Sequence, residues 1–163
     1  MTATTPTGSV LQDEQGLVLV FDRVLDAGAA DVWAALTEPA RVARWFGTVT
    51  GDPATGEVEV RMTAEGADAA EPVQLVECRP ASLLVVDLPS PDGTWRVSVA
   101  LERRGARTEL RFEQRLAEPY DATSIGPGWQ YYLDRLMAVV AGEPVPEGFD
   151  EYLLLADAYA LPS

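Results

Sequence analysis

The sequence predicts an α+β fold, in which a curved antiparallel sheet wraps around a long C-terminal helix and two short helices follow the first strand. A β-rich run near the start of the chain is followed directly by two short helical patterns. Five or six strand patterns then succeed one another without a helix between them, and an amphipathic helical pattern begins at Trp129. Strands in series with helices kept apart from them are typical of the α+β class. A sheet of this length has to curve, so the long helix is expected to cover its concave face.

The first strand pattern covers residues 17–24, where apolar side chains alternate along one face. Residues 29–36 are rich in alanine and carry apolar residues at helical spacing, which indicates a short helix. Thr37 is a candidate N-cap for a second short helix, because Pro39 then falls in its first turn. We expect this second helix to end at about Trp45.

Strand patterns fill the middle of the chain. Val58, Val60 and Met62 alternate with charged residues, and further runs follow at residues 73–78 and 83–88. The clearest hairpin joins residues 95–101 to residues 107–115 through a turn at residues 103–106. Arginine and glutamate alternate on its outer face. A basic binding patch is one interpretation of them, and a solvated face with cross-strand ion pairs is the simpler one.

The long helix is predicted from Trp129, where apolar residues follow at the i+3, i+4, i+7 and i+11 positions. Gly126-Pro127-Gly128 reads as a breaker before it, and Gly142 as its C-terminal stop. A last short helical pattern covers residues 149–159. We therefore expect a disordered N-terminus at residues 1–12, one domain at residues 13–142 and a C-terminal tail with a short helix at residues 143–163.

Composition excludes several classes of function. The chain has 12 arginines and no lysine or histidine against 26 acidic residues, so its net charge is −14. Such a surface repels nucleic acid and anionic membranes. The absence of histidine excludes Ser-His-Asp chemistry and His-ligated metals, and a single cysteine excludes Cys clusters. We expect no metal and no cofactor. Without a signal-peptide pattern or a membrane-length apolar run, a cytoplasmic location is the default.

Three motifs carry a resemblance to a known family. The first runs over residues 21–47 and includes Val32-Trp33-Ala34-Ala35-Leu36-Thr37-Glu38-Pro39 and Arg44-Trp45-Phe46. The second is Glu77-Cys78-Arg79-Pro80-Ala81-Ser82-Leu83, and the third is the Gly128-Trp129 start of the helical pattern through Leu136. Together they resemble the SRPBCC (START-like, helix-grip) superfamily, and more narrowly the bacterial homologues of the heat shock protein 90 ATPase activator.

The resemblance implies a helix-grip fold with a deep, mostly apolar pocket between the C-terminal helix and the sheet. Members of the superfamily bind lipids, sterols, polyketides and plant hormones in this pocket. Some are cyclases or other enzymes, many only bind and carry, and the eukaryotic activator stimulates a chaperone ATPase.

Eleven residues are candidates to line such a pocket, and none is predicted to be catalytic. They are Trp45, Phe46, Met62, Trp95, Val97, Phe112, Gln114, Trp129, Tyr132, Leu133 and Leu136. Trp45 and Phe46 either gate the pocket or close the core, and core packing is the simpler interpretation. Gln114 either anchors a ligand or lies beyond the helix in water. Cys78 reads as a small buried hydrophobe rather than a nucleophile, because no histidine exists to activate it.

Three hypotheses for function follow. The leading one is a binding protein that holds a small apolar or aromatic metabolite under the C-terminal helix. The second is an enzyme of the polyketide cyclase or aromatase kind, which an inward arginine or carboxylate would favour. The third is a co-chaperone-like interaction module, which predicts an exposed apolar patch. A homodimer or another protein partner is compatible with each of them.

Overall fold

A computed structural model describes residues 7–14, 16–61, 69–90, 93–116, 122–146, 152 and 159. Within these residues the chain forms eight strands, three helices and one 3₁₀ turn at Pro53–Thr55. The strands are β1 (Gly8–Asp13), β2 (Gly16–Leu25), β3 (Thr48–Thr50), β4 (Glu57–Arg61), β5 (Glu71–Arg79), β6 (Leu83–Ser90), β7 (Gly93–Arg104) and β8 (Arg107–Leu116). The helices are α1 (Ala29–Thr37), α2 (Pro39–Val42) and α3 (Ala122–Ala141).

All eight strands belong to one curved antiparallel sheet in the order β1-β2-β8-β7-β6-β5-β4-β3. Strands that follow one another in the chain are neighbours, except that β2 pairs with β8. A register shift between Leu75 and Glu77 breaks the ladder from β5 to β6, and such irregularities bend a strand. The predicted α+β class and curved sheet are confirmed.

The long helix packs on β1, β2 and α1. Strand alternation turns one face of every strand toward it and toward the short helices, so the apolar core lies between these two layers. Phe21 of β2 pairs in register with Phe112 of β8, and their rings meet edge to face with centroids 5.8 Å apart. No helix of the described residues has the length and apolarity that a membrane crossing requires.

The outer face of the central strands carries ion pairs. Arg96 on β7 pairs with Asp87 on β6, and Arg111 on β8 pairs with Asp22 on β2. The hydrogen bond from Arg96 holds the pKa of the Asp87 carboxyl below its usual value. Because these arginines already face carboxylates on neighbouring strands, the outer face is a solvated surface with cross-strand ion pairs rather than a basic patch.

Two local predictions at the N-terminal end differ from the structure. The sequence predicts a disordered segment at residues 1–12, whereas Gly8–Asp13 forms strand β1 along β2. Strand β1 is ordered because its backbone pairs with β2. The weak apolar alternation of its own sequence does not predict a strand. Thr37 is not an N-cap, because it is the last residue of α1 and its hydroxyl donates to the Trp33 carbonyl. Glu38 precedes α2, which ends at Val42 rather than at Trp45.

The long helix begins seven residues earlier than predicted, so Gly126-Pro127-Gly128 lies inside it. Tertiary packing keeps this segment helical, although its glycines and proline predict a break in the helix. A Cβ atom on Gly126 would lie 2.4 Å from Cγ of Tyr159, which shows that this glycine allows a close approach. The predicted stop at Gly142 is confirmed: its φ is 71°, and the amides of Gly142 and Glu143 bond back to Val139 and Ala138 as in a Schellman motif.

Most of the predicted short helix at residues 149–159 lies outside the described residues. Its two described members are buried tyrosines. The Tyr152 hydroxyl donates to Asp134, and the Tyr159 hydroxyl donates to Gln130 and accepts from the Gly8 amide. Burial raises the pKa of both phenols.

Candidate functional site

An apolar cavity of about 220 Å³ lies between the short helices and strands β3 to β8. The segment from α1 to the turn after α2 forms its roof, with Leu36, Thr37, Pro39, Val42, Trp45 and Phe46. The sheet forms its floor, with apolar side chains from the inner face of each of the six strands. The long helix closes one side with Trp129 and Leu133. The roof therefore comes mainly from α1 and α2, whereas the sequence predicts a cavity under the C-terminal helix.

None of the described side chains that line the cavity is charged. The floor residues are Val49, Val58, Val60, Val73, Leu75, Cys78, Leu84, Val86, Leu88, Val97, Val99 and Phe112. The Thr37 hydroxyl is already engaged with the Trp33 carbonyl. Apart from the Cys78 thiol, the described cavity wall offers no acid, base or cation, so its affinity for a guest has to come mainly from apolar contact.

The cavity reaches the surface at one end. Pro39, Gly51, Pro53 and Cys78 line this end and are exposed to solvent. They bring together the junction of α1 and α2, the turn after β3 and the end of β5. The prediction that Cys78 is a buried hydrophobe is wrong, since its thiol is exposed at this mouth. The bulge that precedes Cys78 in β5 locally resets which residues face inward.

Four aromatic rings form the inner wall of the cavity. Phe46 stacks on Trp129 with an interplanar angle of 7°, and Trp45 lies beside Phe46 with centroids 5.2 Å apart. Phe112 rises from β8 to contact Trp129 at 4.6 Å between centroids. The Trp45 indole donates to the Ala35 carbonyl at 2.8 Å, which fixes its ring across α1. These rings contact one another and all four line the cavity, which suits an apolar or aromatic guest.

Arg135 on α3 ties the roof to the helix. Its Nε donates to the Trp45 carbonyl at 2.9 Å, and Nη1 donates to the Pro146 carbonyl and the Tyr131 hydroxyl. The guanidinium also lies 5.3 Å from the centroid of the Tyr131 ring. One side chain thus holds the loop that carries Trp45 and the segment after α3 in fixed positions.

Gln114 on β8 lies next to the aromatic wall. Its side chain is 1% exposed, and its Oε1 accepts a 2.6 Å hydrogen bond from the Trp129 indole. In the sheet it stands beside Val97 of β7, which lines the cavity, and beside Leu19 of β2. Its amide nitrogen has no hydrogen-bond partner among the described residues.

The predicted site residues divide into three groups. Trp45, Phe46, Val97, Phe112, Trp129 and Leu133 line the cavity. Trp95, Gln114, Tyr132 and Leu136 do not line it; Tyr132 and Leu136 are buried in the core. Met62 lies outside the described residues. Leu36 and Val42 also line the cavity without having been predicted, and their helical spacing on the short helices is the signal that could identify them.

A family model described as "Activator of Hsp90 ATPase homolog 1-like protein" matches residues 26–141. Among solved structures, CalU16 from Micromonospora echinospora is similar, with 24% sequence identity, a TM-score of 0.73 and 96% of each chain covered. A conserved protein of unknown function from Enterococcus faecalis is 20% identical with a TM-score of 0.72, over 93% of this chain and 87% of that one. Both share the fold. No curated protein matches the sequence.

Proposed function

Because the chain belongs to the family of Activator of Hsp90 ATPase homolog 1-like proteins, whose fold is consistent with ligand binding or cyclase-like roles, we propose that it binds a small apolar or aromatic metabolite. The single observation that carries the proposal is the uncharged cavity behind an exposed mouth. A volume of about 220 Å³ lies between an engineered cavity of about 150 Å³ that binds benzene and the pockets of about 300 Å³ or more that hold drug-sized ligands. A guest with one or two rings therefore fits best.

The lining favours binding over a cyclase-like reaction. Cyclisation of a polyketide needs groups that move protons or stabilise developing charge. Arg23, an inward-facing arginine, pairs with Asp134 of α3 at 2.8 Å and does not line the cavity. A wall of aliphatic and aromatic side chains holds and shields a guest, but it offers a reaction little assistance.

The exposed apolar residues do not favour a protein-interaction role. The large hydrophobic residues with the greatest exposure among the described ones are Leu11, Val24 and Val76. Leu11 lies opposite Val18 on β2, and Val24 is six residues farther along that strand, which is roughly 20 Å. Val76 is on β5, and three strands separate β5 from β2. Single apolar residues spread in this way are ordinary for a protein surface.

A matched pair of substitutions tests whether the cavity is the binding site. Val86 of β6 lines the cavity, whereas the side chain of its neighbour Val85 lies on the other face of the sheet. We expect indane, a neutral bicyclic hydrocarbon, to bind to the wild-type protein and to Val85→Phe. Val86→Phe places a ring in the open space and should abolish binding.

Isothermal titration calorimetry measures the three affinities, and urea denaturation verifies that both variants are folded. Equal binding of indane to Val85→Phe and Val86→Phe would place the guest elsewhere and refute the proposal, as would a wild-type protein that binds no indane. Native mass spectrometry of freshly purified protein, compared with the denatured mass, then gives the mass of any ligand retained from the host.

A further inference from the structure

Gln114 holds a buried amide whose hydrogen-bonding capacity is half used. The indole nitrogen of Trp129 is a donor only, so the atom it contacts has to be the carbonyl oxygen of the amide. This contact fixes the orientation of the amide and leaves the NH₂ group on the other side. Both N–H donors lack an acceptor among the described residues, although the side chain is 1% exposed.

Buried donors without acceptors are rare in native proteins, because a donor that loses its hydrogen bonds to water and gains no other acceptor destabilises the fold. The side chains beside the amide are apolar or already engaged. Leu19 and Val97 flank it in the sheet, Phe112 precedes it on the same face of β8, and the Trp129 indole donates rather than accepts. None of these described neighbours supplies the missing acceptor, which a bound molecule could provide.

A buried water is a poor acceptor at this place. A buried water needs two to four polar partners, and the amide group is the only unengaged one among these neighbours. An oxygen atom on a ligand needs no second partner, because the rest of the ligand anchors it through apolar contact. Val97, Phe112 and Trp129 all line the cavity, so the amide lies one side chain away from the open space.

We propose that Gln114 selects a ligand that carries a hydrogen-bond acceptor, such as a ketone or ether oxygen, at the end of an apolar ring system. This inference rests on the proposed function and defines the ligand class further. Gln114 does not itself line the cavity. A ligand oxygen therefore reaches Nε2 only when one of the separating side chains shifts, and Trp129 is the one already hydrogen-bonded to the amide.

The test compares two guests of similar shape, indane and indanone, which differ by one carbonyl oxygen. Gln114→Met keeps the length of the side chain but removes the NH₂ donors, together with the oxygen that accepts from the Trp129 indole. We expect the affinity for indanone relative to indane to fall about fivefold in Gln114→Met, which is the effect of one lost hydrogen bond. Gln130→Met is the matched control, since Gln130 is equally buried but bonds to Thr7 and Tyr159 instead. It should leave the ratio unchanged.

A measurement on the wild-type protein keeps the inference testable even if Gln114→Met does not fold. Indanone, but not indane, should shift the side-chain NH₂ signals of Gln114 in a proton–nitrogen NMR spectrum. If both guests bind with the same ratio in wild type and Gln114→Met, or if neither guest shifts the NH₂ signals, the amide does not bond to the ligand oxygen and the inference is wrong. If neither guest binds at all, the proposed function itself fails.

Discussion

Two glycines of the long helix should respond in opposite ways to the same substitution. A Cβ atom on Gly126 would lie 2.4 Å from Cγ of Tyr159, whereas a Cβ atom on Gly128 meets nothing within 4 Å. Because Cγ is the ring atom closest to the backbone, Tyr159 cannot escape by turning the far end of its ring. Gly126→Ala therefore has to expel Tyr159 or move the helix.

The expected magnitudes follow from these contacts. Either alanine gains up to about 1 kcal/mol of helix propensity over glycine. Expelling Tyr159, which is 1% exposed, loses about 2 kcal/mol of aromatic burial. It also breaks its hydrogen bonds to Gly8 and Gln130, worth about 1 kcal/mol each. Gly126→Ala should thus lower the free energy of unfolding by about 3 kcal/mol, while Gly128→Ala should raise it by about 0.5–1 kcal/mol.

Urea denaturation followed by tryptophan fluorescence measures both changes, because the chain contains four tryptophans. Gly128→Ala controls for helix propensity in the same helix. The reasoning would be refuted if the two variants had the same stability, since Tyr159 would then not pack on Gly126 as described.

Three further outcomes are expected. Burial raises the pKa of Tyr152 and Tyr159 in the folded protein, so their contribution to the free energy of unfolding is complete below pH 10 and declines as pH rises above it. Circular dichroism should show an alkaline loss of stability that Tyr159→Phe reduces. Thr108→Val should lower the free energy of unfolding by about 1–2 kcal/mol, because the buried Thr108 hydroxyl donates to the Ala27 carbonyl at 2.7 Å; unchanged urea unfolding would contradict this. Ala81→Gly should raise the melting temperature, because Ala81 has a φ of 59° that costs a non-glycine residue about 1 kcal/mol.

The sequence predicts the fold best where a pattern is local. The β7–β8 hairpin is predicted correctly, including its turn at Gly105, because the apolar alternation and the turn residues lie in one continuous stretch of sequence. The start of α3 is missed because Tyr159, which packs on Gly126, is distant in the chain, whereas β1 is missed because its own apolar alternation is weak even though its partner β2 follows it directly. Gly126 is helical since Tyr159 packs on it, and β1 is ordered since it pairs with β2.

The candidate site is predicted in composition but not in position. Spacing identifies Trp45, Phe46 and Trp129 as inward-facing, and they do line the cavity. It does not reveal how the short helices lie across the sheet, because that depends on contacts between elements such as the bond from Arg135 to the Trp45 carbonyl. It also leaves open whether Gln114 faces water or the core, and only the assembled sheet places it beside Trp129.

The pairing of β2 with β8 has a consequence for the order in which the sheet is completed during synthesis. Asp22 on β2 bonds across the ladder to Arg111 on β8, 89 residues later. At synthesis rates of roughly 5–20 residues per second, the open edge of β2 waits on the order of 5–20 s for its partner. The β1–β2 hairpin exposes both its backbone donors and the apolar face around Phe21 during this interval. A chaperone that binds extended apolar segments would find its best opportunity in this interval, before β8 has left the ribosome.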